Sequence, residues 1–296
     1  MRILSCILMV SSLYFLSSCS LSKTFHKPQK NPDSIEDWIY FIMENDTCYV
    51  DYTQEDNQIK FTTSTGELIN KSYTIRDTFF ESSSGNQLNG WLLTPKGREP
   101  LATILHFHGS ASNLFLHYSS IGPLVQHGFQ VFTFDYSGYG FSEGKASREN
   151  ALADAYSALD FVCKNYVVKE DLILYGHSYG GYLASIVGSN KQKEIDGIVI
   201  EGAFSAHKAE ANYSVPILGL IVKNEQLASR EISKNKKPLL IIHSVEDKKV
   251  PLKFGREIFQ CANQPKEFYE IDRPHILGLQ YYSKEIAEKI KGMLEE

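Results

Sequence analysis

The sequence has few cysteines, no excess of basic residues and no internal repeats, and these shortages exclude several classes of protein. Five cysteines occur in 296 residues, and their irregular spacing fits neither a disulfide framework nor a metal site. The formal net charge of −5 and the isoelectric point near 6.0 do not indicate the excess of positive charge that is typical of proteins that bind nucleic acid. No phosphate-binding loop of the form Gly-x-x-x-x-Gly-Lys is present. The composition, 43% hydrophobic and 22% charged, is that of an ordinary globular protein.

Long hydrophobic runs are also absent from the body of the chain, and the one apolar run that bears on membranes lies at the N-terminus. Arg2 precedes residues 3–16, which are mostly apolar. A run of this length is too short to span a bilayer comfortably, but it suits the core of a signal peptide. The sequence Leu16-Ser17-Ser18-Cys19 resembles the lipobox of bacterial lipoproteins, in which the cysteine is lipidated and becomes the new N-terminus.

This resemblance implies a lipoprotein signal peptide over residues 1–18, a lipid anchor on Cys19 and a location on a membrane of the bacterial cell envelope. Serine is less common than glycine or alanine immediately before the cysteine. A plain secretory signal, an uncleaved anchor and a buried first helix are the alternatives. For the remaining cysteines we expect free thiols, with one disulfide as the alternative in an oxidising compartment; they are Cys48, Cys163 and Cys261.

Strand-like and helix-like segments alternate from Ser72 onward. Strand candidates lie at 73–81, 87–94, 101–107, 129–135, 171–176, 196–200, 238–243 and 267–271. Helix candidates lie at 113–127, 148–166, 179–189, 218–233, 252–262 and 279–294. The alternation predicts an α/β fold with a mostly parallel eight-stranded sheet and helices on both faces. We assign residues 72–296 to this domain and residues 19–71 to a tether and a small N-terminal extension, with a short helix near residues 35–42.

The pattern Gly-x-Ser-x-Gly occurs twice in the chain. At Ser178 an apolar run ends in the pattern and a helix-compatible stretch follows at once, as in the strand, sharp turn and helix of a nucleophile elbow. Such a turn exposes the serine hydroxyl. At Ser142 the strand candidate ends several residues earlier, and closely spaced glycines indicate a loop with no helix directly behind the serine. We therefore predict Ser178 as a nucleophile and interpret Ser142 as a hydroxyl that ties down a turn.

A serine hydroxyl needs a base within hydrogen-bond reach before it can act as a nucleophile at neutral pH. Asp247 and His275 each follow a strand candidate, and His275 is the only histidine after Asp247. Because ligands bind at the carboxyl ends of parallel strands, we predict His275 as general base and Asp247 as the acid that orients it. The chain order is the one expected for a triad on such a sheet. Glu201, at another strand end, is the rival acid, and Glu246 is expected to point elsewhere.

An acyl-transfer site also needs donors for the oxyanion that develops during the reaction. A turn of small residues follows the strand candidate 101–107, and we predict that the backbone N–H groups of Ser110 and Tyr179 form the oxyanion hole. His106 and His108 share a strand face and suggest a metal pair, but no third ligand has suitable spacing. We predict neither a metal nor another cofactor.

These motifs together resemble the α/β-hydrolase superfamily, and within it the serine hydrolases related to monoacylglycerol lipases, serine aminopeptidases and depalmitoylating hydrolases. The resemblance covers about residues 72–294. Its elements, in chain order, are His108-Gly109, the run Asp135 to Gly144, the run Gly176 to Gly181, Asp247 with Val250-Pro251, and His275. Relatives often have glycine at position 244 and asparagine at position 110, where this chain has serine. Neither departure removes a catalytic atom, because the backbone donates at position 110.

The substrate is less well determined than the chemistry. About 37 residues separate the strand candidate ending at Ile200 from the one beginning at Pro238, and they must include a structural helix, so we expect little or no lid. The apolar segment 213–222 could flank an acyl pocket, although core packing explains it better. We expect a small acyl ester, with thioesters included, cleaved through an acyl-enzyme on Ser178. Cleavage of short peptides or amides is the alternative, and a non-catalytic binding protein is a further one; the oligomeric state stays open.

Overall fold

The computed structural model describes residues 27–29, 41–43, 46–53, 58–63, 65–69, 71–168, 171–206 and 227–295. The predicted signal peptide, Cys19 and the apolar segment 213–222 lie outside the described residues. So does most of the stretch for which little or no lid is predicted.

Strands and helices alternate through the described part of the chain. The strands are β1 (Lys27–Pro28), β2 (Phe41–Met43), β3 (Asp46–Thr53), β4 (Gln58–Thr62), β5 (Tyr73–Glu81), β6 (Gln87–Pro95), β7 (Thr103–Phe107), β8 (Ala111–Ser112), β9 (Gln130–Phe134), β10 (Leu172–His177), β11 (Gly197–Glu201), β12 (Leu239–Ser244) and β13 (Lys266–Ile271). The helices are α1 (Leu114–Gln126), α2 (Arg148–Asn165), α3 (Tyr179–Asn190), α4 (Ala228–Ile232), α5 (Leu252–Cys261) and α6 (Gly278–Met293).

One large mixed sheet forms the centre of the protein. Its strand order is β13-β12-β11-β10-β7-β9-β6-β5-β4-β3-β2, and β1 pairs separately with β8. The pairings from β13 to β9 are parallel, and those from β9 to β2 are antiparallel. The eight strands from β13 to β5 in this order confirm the predicted α/β sheet, in which most neighbours are parallel.

The N-terminal extension lengthens this sheet. β4 pairs with β5 through Gln58 and Arg76, and β3 and β2 follow in antiparallel pairing. The prediction of a short helix near residues 35–42 is wrong at its last residue, because Ile42 lies in β2 opposite Thr47. Main-chain pairing with β3 overrides the helical spacing of apolar residues there; residues 35–40 lie outside the described residues.

In the part of the chain that the structure describes, two large apolar cores cover opposite faces of the sheet. Helices α2, α3, α4 and α5 contribute to one core, and α1 and α6 contribute to the other. Every residue of β7, β9, β10, β11 and β12 is buried, since helices lie on both faces. Polar side chains on these strands can therefore reach solvent only near the strand ends. The loops at the carboxyl edge of the sheet, after β7, β10, β11, β12 and β13, carry the residues that follow.

Candidate active site

Ser178 occupies a strained turn between β10 and α3. Its φ is 53° and its ψ is −114°, a backbone conformation that L residues rarely adopt. Close packing of the backbone fixes the turn: a Cβ on Gly176 would lie 2.3 Å from the Gly180 oxygen, and one on Gly180 would lie 1.9 Å from the Phe107 oxygen. The Ser178 N–H donates to the backbone oxygen of Glu201 at 2.8 Å. The two glycines thus allow the start of α3 to pack directly against the end of β7.

The structure brings Ser178, Asp247 and His275 together in one hydrogen-bonded series. His275 Nε2 lies 3.0 Å from Ser178 Oγ, and His275 Nδ1 lies 2.6 Å from Asp247 Oδ2. An ionised carboxylate only accepts, so the Nδ1–H donates to Asp247 and Nε2 accepts the hydroxyl proton of Ser178. Asp247 is buried, whereas Ser178 and His275 are partly exposed. This is the arrangement in which a serine can lose its proton as it attacks.

Asp247 is held as a carboxylate by three donors. Its Oδ1 accepts the N–H groups of Lys249 at 2.9 Å and Val250 at 2.8 Å, and His275 donates to its Oδ2. Burial alone would raise the pKa of Asp247, but the hydrogen bond and charge of His275 and the two N–H donors outweigh burial and hold that pKa below its usual value. The neighbouring Glu246 is exposed to solvent and takes no part in this series.

The loop after β7 lies against the nucleophile. A Cβ on Gly109 would be 3.8 Å from Ser178 Cβ. His108 Nδ1 donates to the Gly109 oxygen at 2.7 Å, and the N–H of Ser110 belongs to the same planar trans peptide, in which C=O and N–H point in opposite directions. The Tyr139 hydroxyl donates to the Ser110 oxygen at 2.8 Å. Both peptide groups that flank the Ser110 Cα are therefore fixed in direction.

Tyr179, the second predicted oxyanion donor, is the first residue of α3. Backbone N–H groups in the first turn of a helix point along its axis, where the helix dipole favours negative charge. The N–H groups of Gly181 and Tyr182 bond to the Ser178 oxygen at 3.0 and 3.3 Å, so this turn begins directly at the nucleophile. Both predicted donors thus lie on segments that adjoin Ser178.

Glu201, the rival acid, has a different set of partners. Its Oε1 accepts the Gly278 N–H at 2.8 Å; its Oε2 accepts the Tyr175 hydroxyl at 2.6 Å and lies 3.1 Å from His177 Nε2. Burial would raise the pKa of Glu201, but the charge and hydrogen bond of His177, with the Tyr175 and Gly278 donors, lower that pKa below its ordinary value. These bonds satisfy a fully buried carboxylate.

Glu201 joins two loops of the site, one through its backbone and one through its carboxylate. The backbone oxygen of Glu201 holds the turn at Ser178, while its side chain holds the first residue of α6, three residues after His275. In the described residues, Asp247 is the carboxylate that hydrogen-bonds to the His275 ring. Sequence reasoning located Glu201 at the correct edge of the sheet, but it missed this bracing contact.

His106 and His108 do not form the metal pair that their spacing suggests. His106 Nε2 lies 2.8 Å from His177 Nδ1, and its Nδ1 lies 2.9 Å from Thr133 Oγ1. Burial, and next the charge of His177, lower the pKa of His106 well below its usual value, so its imidazole is neutral. Within the described ranges, no group of three or more His, Cys, Asp or Glu side chains could hold a metal ion. The signal for this buried polar network was present in the sequence as polar side chains inside otherwise apolar strands.

Ser142 is buried in the loop that follows β9. Its hydroxyl donates to the Asp135 oxygen at 2.7 Å and accepts the N–H of Asn89 at 2.9 Å. These bonds tie the loop to the sheet, as the turn interpretation requires. Cys163 is partly buried and Cys261 is exposed, and both are free thiols.

Similar sequences were found over the central part of the chain. A family model described as serine aminopeptidase, S33 matches residues 98–230. The uncharacterised protein YfhR of Escherichia coli K12 is 30% identical over 204 residues, which cover 67% of this chain and 72% of YfhR. The α/β hydrolase domain-containing protein WAV2 of Arabidopsis thaliana is 25% identical over 211 residues, which cover 62% of this chain and 68% of WAV2.

Similar structures extend over more of the chain. The esterase Pf2001 of Pyrococcus furiosus superposes with a TM-score of 0.63 at 21% identity, over 76% of this chain and 91% of that one. An acetyl xylan esterase from Paenibacillus sp. R4 gives a TM-score of 0.63 at 18% identity, over 93% of this chain and 99% of that one. At these identities the likeness establishes the fold. Among the helices of the described residues, none is long and apolar enough to cross a membrane.

Proposed function

Because this chain belongs to the α/β-hydrolase superfamily, we propose that it is a serine esterase that cleaves carboxylic esters, thioesters included, without a cofactor. The observation that carries the proposal is the continuous series from Asp247 through His275 to the hydroxyl of Ser178. Several structural neighbours are esterases, which supports the choice of ester chemistry.

The reaction begins when Ser178 Oγ attacks the ester carbonyl carbon and its proton passes to His275 Nε2. Asp247 stabilises the imidazolium that forms. The carbonyl oxygen becomes an oxyanion, and the N–H groups of Ser110 and Tyr179 donate to it. When the tetrahedral intermediate collapses, the carbon–oxygen bond to the alcohol breaks and the alcohol takes the proton from His275. An acyl group then remains on Ser178.

Water completes the cycle by the same route. His275 takes a proton from the water molecule as it attacks the acyl carbon, and the second intermediate forms in the same oxyanion hole. Its collapse breaks the bond to Ser178 Oγ, which recovers a proton from His275. The products are a carboxylic acid and an alcohol, or a thiol when the substrate is a thioester.

Hydrolysis of short peptides or amides is the second candidate, because the matching family model is described as a serine aminopeptidase. The two functions separate in one experiment: p-nitrophenyl acyl esters of increasing chain length are compared with aminoacyl p-nitroanilides under the same conditions. We expect turnover of the esters and little or none of the anilides. The reverse preference would replace the esterase by the peptidase. Folded protein that cleaves neither and does not react with a fluorophosphonate probe would instead be a binding protein.

We also propose that Cys19 carries a lipid anchor in the bacterial envelope, on the strength of the lipobox-like residues that precede it. Metabolic labelling with an alkyne analogue of palmitate tests this. Labelling is expected in the wild type and in Cys48→Ala, a matched loss of one cysteine, and it is expected to disappear in Cys19→Ala. Equal labelling of both variants would exclude Cys19 as the site.

A further inference from the structure

Residues 27–29, far upstream of the hydrolase domain, pair with the loop after β7 at residues 109–112, which we call the oxyanion loop. Lys27 and Pro28 form β1, which runs parallel to β8, with Lys27 opposite Ala111 and Pro28 opposite Ser112. The Lys27 N–H donates to the Ser110 oxygen at 2.8 Å, and the Gln29 N–H donates to the Ser112 oxygen at 3.0 Å. These two bonds hold alternate peptides of the loop that carries the predicted oxyanion donor at Ser110.

A second loop of the site holds the same segment from its other side. The Gln29 oxygen accepts the Gly140 N–H at 3.0 Å and the side-chain amide of Asn113 at 3.3 Å. Residues 27–29 therefore connect the loop after β7 with the loop after β9. Tyr139, next to Gly140, also donates to the Ser110 oxygen, so the same carbonyl receives a donor from each side.

Backbone atoms make all of these contacts on the side of residues 27–29. The side chains of Lys27, Pro28 and Gln29 are exposed, and the segment adds nothing to the apolar cores. Proline fits at the middle position because the N–H groups on either side of it are the ones that bond to the loop. The segment is thus built to hold a neighbouring backbone in place, and it can be altered with little effect on the folded core.

The backbone of the oxyanion loop is strained at Ser112 and needs contacts that hold it. Ser112 has a φ of 74°, in the left-handed region where a residue with a side chain persists only when its surroundings hold it. Ser112 is the residue whose oxygen accepts from Gln29. An oxyanion hole stabilises the transition state only if its donors are already in place when the charge develops.

We infer that residues 27–29 are a positioning strap for the oxyanion loop 109–112, so that turnover depends on three exposed residues outside the hydrolase domain. This inference rests on the proposed esterase function for its kinetic consequence. Its structural consequence, restraint of the loop, is independent of the substrate.

The test removes one backbone donor at a time in the full-length protein. Lys27→Pro deletes the N–H that reaches Ser110, and Gln29→Pro deletes the one that reaches Ser112. Lys27→Ala and Gln29→Ala are the matched controls, since they change the same side chains and keep the N–H. For the proline variants we expect kcat on an acyl ester to fall by roughly 5- to 50-fold, part of the ~10²–10³-fold cost of losing one oxyanion donor outright. KM should stay within about twofold, because the strap acts on the transition state.

Hydrogen–deuterium exchange provides the second readout. The amides of residues 110–114 should exchange faster in the proline variants than in the alanine controls, while exchange in β10 and α3 stays unchanged. Proline variants with the kcat and the exchange rates of their controls would overturn the strap. If the wild type cleaves no ester, the proposed function fails, and the exchange comparison still decides whether the strap exists.

Discussion

Two loops of this protein carry the same five-residue pattern around a serine, and they differ in almost every physical respect. At the first, Ser178 lies in a strained turn directly after the buried strand β10, and its hydroxyl hydrogen-bonds to the ring of His275. At the second, Ser142 is fully buried, and its hydroxyl satisfies the backbone of Asp135 and Asn89. Gly-x-Ser-x-Gly therefore describes a tight turn, and the neighbouring strand ends decide whether the serine has a base.

The glycines of the two loops are required for different reasons. Gly176 and Gly180 face rigid backbone, so any Cβ there would collide with main-chain atoms at about 2 Å. Gly140 and Gly144 have φ values of 45° and 79°, and a Cβ on them would meet the side chains of Asp135 and Asn86. The elbow glycines allow close packing of a helix on a strand, while the loop glycines allow a left-handed backbone.

The two serine hydroxyls have different roles, and the removal of each in turn should affect different properties. Ser178→Ala should reduce kcat on acyl esters by about 10⁶-fold, as expected when the nucleophile of a serine triad is lost. Its thermal stability should be close to that of the wild type, since the change removes one partly exposed oxygen. Steady-state rates with p-nitrophenyl esters and a melting curve check both points. Activity that survives in Ser178→Ala and disappears in Ser142→Ala would reverse the assignment.

The next largest effect concerns the residue that gives Ser178 its base. Asp247→Asn keeps the size of the side chain but favours the wrong tautomer of His275, and we expect a loss of about 10⁴-fold in kcat. Glu201→Gln is the matched carboxylate-to-amide change at the rival acid. It should cost far less activity, because the Glu201 carboxylate bonds to the Gly278 N–H while Asp247 bonds to the His275 ring. Equal losses in the two variants, measured by single-turnover acylation, would mean that both carboxylates serve the imidazole.

For the second loop the expected effect is on stability. Ser142→Ala leaves the buried N–H of Asn89 without the hydroxyl that accepts it, a change that should lower the free energy of unfolding by about 1–3 kcal/mol. Ester turnover at a temperature where the variant is folded should stay within about twofold of the wild type. Urea unfolding followed by far-UV circular dichroism measures the first quantity. A Ser142→Ala variant of wild-type stability would remove the structural role assigned to this hydroxyl.

A last effect, confined to acid pH, is a loss of stability that arises at His117. Burial lowers the pKa of His117, which contacts the oxyanion loop, from 6.5 to about 4. The unfolded chain therefore binds a proton at His117 before the folded chain does, so stability falls as pH drops from about 6.5 towards 4. His117→Asn should weaken this dependence by on the order of 1–3 kcal/mol at pH 4. Unfolding curves at pH 7 and pH 4 provide the measurement, and an equal loss of stability between these pH values in the two proteins would contradict the prediction.

Much of the fold could be predicted because its central strands are mostly apolar and regularly spaced along the chain. The order of strand ends also brought Ser178, Asp247 and His275 to one edge, and the structure brings the three side chains together there. Chain order favoured Asp247 over Glu201 as the acid, but the actual partners of Glu201 could not be predicted, since strand order gives the edge on which a residue lies and not the partner that its side chain reaches.

The N-terminal extension was harder to predict for a different reason. β1 and β2 are two and three residues long, too short to show a period of two, and their pairing depends on main-chain atoms that every residue type supplies. The apolar spacing around Ile42 favoured a helix, whereas antiparallel pairing with β3 decided the outcome. Residues 27–29 contain no apolar pattern at all, and their contacts with the oxyanion loop follow from tertiary placement alone.

The pairing of β1 with β8 also sets a length. Eight peptide links join Cys19 to Lys27, and at roughly 3.3–3.6 Å per residue they reach at most about 29 Å when fully extended. If the chain is anchored at Cys19, this length is the greatest distance from the lipid headgroups at which Lys27, and the oxyanion loop paired with it, can lie. Because β1 pairs beside the loop that adjoins Ser178, an anchor at Cys19 would limit how far the candidate active site can lie from the membrane surface.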